Sequence, residues 1–326
     1  MNAPKPQPGK KRRGGVWAGQ RRFILSVTIP TLLYAGIGIF SLAWAFVLMF
    51  FKYSPGRAGG PILGLGGTNP FVGLQHFYNM MTGVSKHARL FRTSLANTLA
   101  FVFAVVPLNL MITLPLAALV ESVRNHQLKR FFRAVYFLPV VTSQVGVAMM
   151  WGYVYDPQAG LLNGIIRTLG GKPIAWLTDP RATFLGMPVA MWSVILARLW
   201  SDYGYNMVIF IAALQGIPPT FREAAKIDGA NAWQVFWKVT VPLLRPTLLF
   251  VGVMTMLDAF QIFDLFQVLT NGGPRDQTRV LMLDIYYNAF RYQQMGWAAA
   301  TSLVLVVIVM GFTLIQMRVL RTEWEY

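Results

Sequence analysis

Apolar runs long enough to cross a lipid bilayer recur along the chain, at approximately 24–51, 94–120, 134–154, 184–214, 246–269 and 296–317. As helix, about 20 residues span a hydrocarbon core of roughly 30 Å. Inside that core every backbone amide has to bond within its own segment, which selects helices over isolated strands. The pattern predicts an all-α, polytopic membrane protein with six transmembrane helices. Residues 1–22 read as a basic cytoplasmic arm, 23–320 as a single membrane domain and 321–326 as a cytoplasmic tail. The segment between the first two runs, 52–92, is rich in Gly and Pro and then weakly amphipathic. It reads as an external loop followed by an interfacial helix. No repeat of solenoid period is evident.

One long stretch breaks the apolar rhythm, "REAAKIDGANAWQVFWKVTVPLLRP", within a loop at about 219–242. In "TFRE", Thr220 precedes Glu223 by three, the spacing of a capping box, so a short helix is expected to start there. "DG" at 228–229 is a helix stop, because Gly readily takes the left-handed conformation that closes a C-terminus. Asn231 is placed to cap a second helix that carries Trp233, Phe236 and Trp237, and Pro242 stands near the entry to the next run. Capping chemistry alone would allow a simple connector at the membrane surface.

Composition agrees with the membrane reading: 55% of residues are hydrophobic and 13% charged, too few charges for a soluble domain of this length. The net charge of +17 invites a nucleic-acid reading. Its placement favours a membrane topology instead. Lys5, Lys10, Lys11, Arg12, Arg13, Arg21 and Arg22 precede the first run without an acid among them, and with both termini cytoplasmic the remaining Lys and Arg also favour the inside. "AWA" at 43–45 has the form of a signal-peptide cleavage site, but the first apolar run is too long for a signal core and is read as an uncleaved helix. The absence of cysteine excludes disulfides and thiolate chemistry.

The stretch from Glu223 also resembles the signature loop of the permease subunits of binding-protein-dependent ABC importers, whose pattern is Glu-Ala-Ala, three residues, Gly, nine residues, an aliphatic, one residue, an aliphatic and Pro. Glu223, Ala224, Ala225, Gly229, Val239, Val241 and Pro242 meet it, with valine at the two positions where isoleucine and leucine are usual. "FVGLQHFYNM" at 71–80, "NTLAFV" at 97–102, "FRAVYFLPVVTSQVGVAMMWGYVYDPQAGLLN" at 132–163 and "QVLTNGGPRDQT" at 267–278 are similar to the larger-subunit branch of the carbohydrate importers, which includes those for maltose and glycerol phosphate. The resemblance covers about 23–320.

The resemblance implies a coupling helix that docks into a cytoplasmic ATPase, with Glu223 as its anchor, Ala224 and Ala225 as its small surface and Gly229 as its turn. Asp228 would either cap the second helix or touch the partner. It further implies a second permease subunit in a heterodimer, an ATP-binding subunit dimer that holds ATP and Mg, an extracytoplasmic solute-binding protein, contact with membrane lipid and residence in the bacterial or archaeal cytoplasmic membrane. The chain itself carries no phosphate-binding loop, since "GGKPI" at 170–174 has neither the spacing nor the Ser/Thr. Neither enzyme activity nor a cofactor, metal or nucleic acid of its own is expected. His76, His87 and His126 read as isolated loop residues.

Polar groups at membrane depth are costly and so tend to face a cavity or a partner. Arg198 and Asp202 are spaced to pair along one helix face. Asp202, Tyr203, Tyr205 and Asn206 are candidates for a substrate pathway, with Asp258, Gln261 and Asp264 as a second stripe and Gln144 as a third element. The predicted external loops carry Lys52, Arg57, Lys86, Arg89, Arg92, Arg167, Lys172, Arg181, Arg275, Arg279 and Arg291, a surface suited to steering an anionic sugar. A neutral oligosaccharide is equally compatible with the chain. The alternative class is a secondary transporter or channel that uses Asp202, Asp258 and Asp264 as ion sites, which leaves the signature loop unexplained.

Overall fold

In a computed structural model, residues 14–57, 59–62 and 64–319 are described. The basic arm up to Arg13 and the tail lie outside them. Helix α1, Gly14–Leu48, forms a unit of its own. Ser26, Thr31 and Ser41 donate their hydroxyls to Phe23, Val27 and Ile37 carbonyls at 2.8, 2.7 and 2.9 Å, which satisfies them without water. From Phe23 to Leu42 its side chains are exposed around the whole circumference and mostly apolar, as expected of a lipid-facing helix.

The second unit begins at Met49. It opens with a small antiparallel ribbon, β1 (Gly59–Ile62) and β2 (Leu65–Gly67), followed by α2 (Gln75–Thr82). The long helix α3, Lys86–Ser122, is capped by Ser85 Oγ, which accepts from the Ala88 amide at 3.1 Å. Next come α4 (His126–Phe137), a 3-10 turn at Leu138–Val141, α5 (Gln144–Val154), α6 (Leu161–Thr168) and a second ribbon, β3 (Thr183–Phe184) with β4 (Met187–Pro188). Helices α7 (Val189–Gly216), α8 (Pro219–Ile227), α9 (Ala232–Val235), α10 (Val241–Leu243), α11 (Arg245–Gln261), α12 (Asp264–Leu269), α13 (Leu281–Tyr286) and α14 (Met295–Val319) complete it. The fold is thus mostly helical, and the two ribbons correct the all-α expectation.

Helix α3 packs against α7 and α11, and α12 against α5. One core gathers Phe101, Val194, Met191, Phe260, Phe266 and Leu281, with Phe101 and Phe266 edge to face at 5.0 Å. A second gathers Leu114, Met207, Phe210, Leu244 and Val251. Gly204 lets α7 meet α4 backbone to backbone: a Cβ there would run into the Tyr136 carbonyl.

Two of the apolar runs are not straight spans. Among the described residues, three helices are long and apolar enough to cross a membrane, or up to five if each of two bent pairs counts as one. The run at 134–154 breaks by 99° between Val141 and Gln144. Pro139 has no amide to continue the ladder, and Ser143 starts a new helix by accepting from the Gly146 amide at 3.1 Å. The second bend, 71°, falls at Leu244, between Pro242 and Pro246. Pro242 cannot donate to the carbonyl four residues back, and the preceding Phe236–Thr240 relaxes into a π turn. The run at 246–269, which starts just past that bend, is interrupted at Ile262 and Phe263, so Asp264 begins a separate helix instead of extending the stripe of Asp258 and Gln261.

Two further expectations are corrected by burial. His76 is 8% exposed and its Nε2–H donates to the Phe51 carbonyl at 3.1 Å, while His76 meets the Trp297 ring edge-on and His87 meets it at a tilt, so these histidines are neither isolated nor in loops. Burial lowers the His76 pKa below its ordinary value. Arg279 is not a free surface charge: its Nε and Nη2 donate to Asp284 Oδ1 at 2.9 and 2.7 Å, and Asp284 is fully buried. Burial pushes the Asp284 carboxyl up against the opposing pull of Arg279. Replacement Asp284→Ala removes both short bonds and leaves the buried guanidinium only the half-exposed Asp276 at 3.4 Å, a change that costs about 3 kcal/mol. Thermal unfolding of the purified protein should fall accordingly, and an unchanged melting temperature would contradict this.

Candidate functional site

Three elements meet around an open cleft of about 460 Å³. Helix α7 contributes Arg198, Ser201, Asp202, Tyr205 and Asn206, residues three to four apart and therefore on one face. The last turns of α11 and the break after it contribute Thr255, Asp258, Gln261, Phe263 and Asp264, and the bend before α5 contributes Gln144. Arg198 Nε lies 2.5 Å from Asp202 Oδ2 and Nη2 lies 3.8 Å from Asp258 Oδ2, so one guanidinium spans two helices. Beneath it, Asn206 Nδ2 donates to Asn109 Oδ1 at 2.7 Å and to Thr255 Oγ1 at 3.0 Å, which links α7 to α3 and α11.

The cleft thus gathers Gln144, Asp202, Tyr205, Asn206, Asp258, Gln261 and Asp264 from the sequence-derived candidates. Tyr203 is the exception. One residue beyond Asp202 is about 100° around the helix, and Tyr203 faces a different, mainly apolar hollow with Asn109, Leu196 and Trp200, where it meets Tyr136 edge to face at 5.8 Å. Sequence reasoning missed Asn109 and Thr255. Asn109, in an otherwise apolar stretch of α3, carried the same signal of a costly polar group at membrane depth. Three carboxylates against one guanidinium, with the Tyr205 and Phe263 rings nearby, leave the cleft rich in hydrogen-bond acceptors.

The signature loop has its own geometry. Helix α8 starts at Pro219, with Pro218 as its cap and no side-chain capping bond. The Thr220 capping box therefore does not form: proline at the first helical position presets the backbone angle and has no amide to satisfy, so the helix begins ahead of Thr220. At the other end Gly229 takes φ +80°, its amide donating to Lys226 and that of Ala230 to Ala225, at 3.0 and 2.9 Å. This is a Schellman closure, in which a left-handed residue satisfies the last helical carbonyls. Asn231, and not Asp228, caps α9, in a reciprocal box with Gln234 at 2.9 Å each way. Glu223, Ala224, Asp228 and Gly229 are exposed and Ala225 half-buried, beside exposed Phe221, Ile227, Trp233 and Trp237.

A polar junction joins this loop to the helices that line the cleft. Arg222 of α8 donates to the Leu214 carbonyl of α7 at 3.0 Å. Next to it, Gln215 donates to Glu121 at the end of α3 at 3.3 Å, and Glu121 also accepts from Lys129 at 3.1 Å and Arg133 at 2.8 Å, both on α4. Helix α4 leads through the Pro139 turn to Gln144 in the cleft.

The fold and both sites define a membrane permease, and the comparisons place it. The chain belongs to the family described as binding-protein-dependent transport system inner membrane component, whose profile matches residues 112–321. It is 31% identical over 296 residues to the probable ABC transporter permease protein YurN of Bacillus subtilis (strain 168), covering 90% of this chain and 93% of that protein. It is also 31% identical over 252 residues to the trehalose/maltose transport system permease protein MalF of Thermococcus litoralis, covering 77% and 80%. Among solved structures it matches a bacterial ABC transporter involved in the import of the acidic polysaccharide alginate, with TM-score 0.75, 20% identity and coverage of 94% of this chain and 98% of the other. The chain is accordingly a permease component of a binding-protein-dependent importer.

The Glu121 junction generates a split expectation. Its ion pairs are partly exposed, so Glu121→Ala should cost no more than about 1 kcal/mol of stability. Binding-protein-dependent uptake should nevertheless drop several-fold at unchanged assembly. Normal uptake would show that the junction only holds the helices in place.

Proposed function

We propose that this permease forms one half of the translocation pathway for a sugar or oligosaccharide, with six spans and cytoplasmic termini, and couples that pathway to a separate ATPase pair that binds ATP and Mg. In this reading α8 is the coupling helix. The observation that carries it is the signature motif itself, presented on an exposed two-turn helix closed by Gly229 and flanked by Phe221, Ile227, Trp233 and Trp237. Exposed apolar residues clustered beside Glu223 mark a surface made for a partner. Asp228 stands free to meet that partner, since Asn231 does the capping. A second, similar permease would close the cleft, and an extracytoplasmic binding protein would deliver the substrate.

Acceptors and aromatic planes lining the cleft suit the hydroxyls and apolar ring faces of a sugar. The trehalose/maltose permease among the relatives supports the same class. The surplus of carboxylates favours an uncharged polyhydroxyl over an anion at this level, although the alginate importer carries an acidic substrate. Tyr205, Gln261, Asp258, Asp264 and Gln144 are then the contacts, with Asn206 serving as a support through its bonds to α3 and α11. An ion-driven mechanism gains nothing from the geometry, because Arg198 already engages both Asp202 and Asp258.

ATP-driven uptake by the assembled importer in vesicles, with labelled neutral and anionic oligosaccharides, tests the reading. Glu223→Ala and Gly229→Pro are expected to abolish uptake while the complex still assembles. Uptake that follows an ion gradient and ignores both changes would overturn it.

A further inference from the structure

A second cleft, of about 330 Å³, lies between the segment after Met49, α2 and the start of α14. Its chemistry is the opposite of the first. Lys52 and Arg57 line it together with His76, Asn79, Gln294 and Trp297, and its walls contain no Asp or Glu. Neither Lys52 nor Arg57 takes part in an ion pair among the described residues. Trp297 is 5% exposed and its Nε1 has no hydrogen-bond partner. An indole N–H can only donate, and this one has almost no accessible surface, so it lies behind the wall and is closed to an oxygen in the cleft.

The neighbouring rings brace this wall. His76 and His87 flank the Trp297 ring at 5.7 and 6.0 Å, and His76 is itself fixed by the Phe51 carbonyl. Gln75 and Asn79, one turn apart on α2, add amide groups to the same wall. A point charge on a flexible stem and a planar guanidinium fork, in a cleft without a carboxylate, are together the complement of a compact oxyanion.

We propose that this cleft binds a phosphate-class oxyanion, with Lys52 supplying a point charge and Arg57 a planar, directional fork of donors. The volume admits the group with a glycerol-sized substituent, so the phosphate of a lipid headgroup and a free phosphate are its two sources. The site is separate from the acceptor-rich cleft proposed for the sugar, and it does not depend on that assignment.

The test uses the assembled importer in nanodiscs of phosphatidylcholine, titrated with inorganic phosphate and followed by phosphorus NMR line broadening. Wild type should bind saturably, and the double variant Lys52→Ala/Arg57→Ala should bind roughly tenfold or more weakly, as expected for loss of charge-assisted contacts. Arg57→Gln alone removes one of the two charges and leaves a side chain of similar shape. It should weaken phosphate binding as well, and it decides the matter if the double variant does not assemble. Phosphatidylglycerol in the nanodisc that competes with phosphate identifies the lipid headgroup as the ligand, whereas phosphate binding indifferent to that lipid identifies a soluble oxyanion. Equal binding by wild type and both variants, or no saturable binding in wild type, would overturn the proposal.

Discussion

Asn206 donates to Asn109 and Thr255 at 2.7 and 3.0 Å, and the rest of the arrangement depends on this contact. A side-chain amide buried among apolar helices has to find partners, and here it finds them on two different elements. With α7 tied to α3 and α11 at that level, the rotation of α7 about its axis is set. Arg198, Asp202 and Tyr205 then turn toward the cleft, and Tyr203 turns away from it. The Arg198 fork, reaching Asp202 and Asp258, repeats the tie about two turns further along.

The long spans were legible because lipid imposes a length and forbids unpaired amides. The last predicted run, 296–317, became α14 at Met295–Val319, and the run at 94–120 lies within α3, Lys86–Ser122. The bend after Pro139 was not legible from hydropathy, since the residues on either side of it are equally apolar, whereas the bend at Leu244 falls beside Arg245, just ahead of the predicted run at 246–269. What breaks the helix after Pro139 is the missing proline amide and a competing cap at Ser143, local effects that an apolar run conceals. A similar oversight moved the start of α8: Thr220 offered a capping hydroxyl, but Pro219 set the backbone first.

The candidate site was legible as far as chemistry ran with helical phase. Asp202, Tyr205 and Asn206 shared a face with Arg198, while Tyr203 was grouped with them by adjacency, which in a helix is a turn of about 100°. Gly229 was readable because its left-handed geometry follows from the DG pair. Asp264 reached the cleft by a route the sequence did not suggest, from a separate helix after the break at Ile262. The polar junction at Glu121 brings together residues 94 positions apart along the chain, and no local pattern announces it.

Coupling through α8, as proposed, requires that its motion be passed to the Arg198 cleft. Because the chain has no cysteine, a single Tyr205→Cys change gives a unique thiol at a cleft-lining position that is 49% exposed. Its alkylation rate by a small membrane-impermeant reagent would be measured in the assembled importer with ADP and with ATP trapped at the ATPase. The rate is expected to differ several-fold between the two nucleotide states and to become state-independent once Glu223→Ala is added. Equal rates in both nucleotide states, with an otherwise active importer, would contradict it.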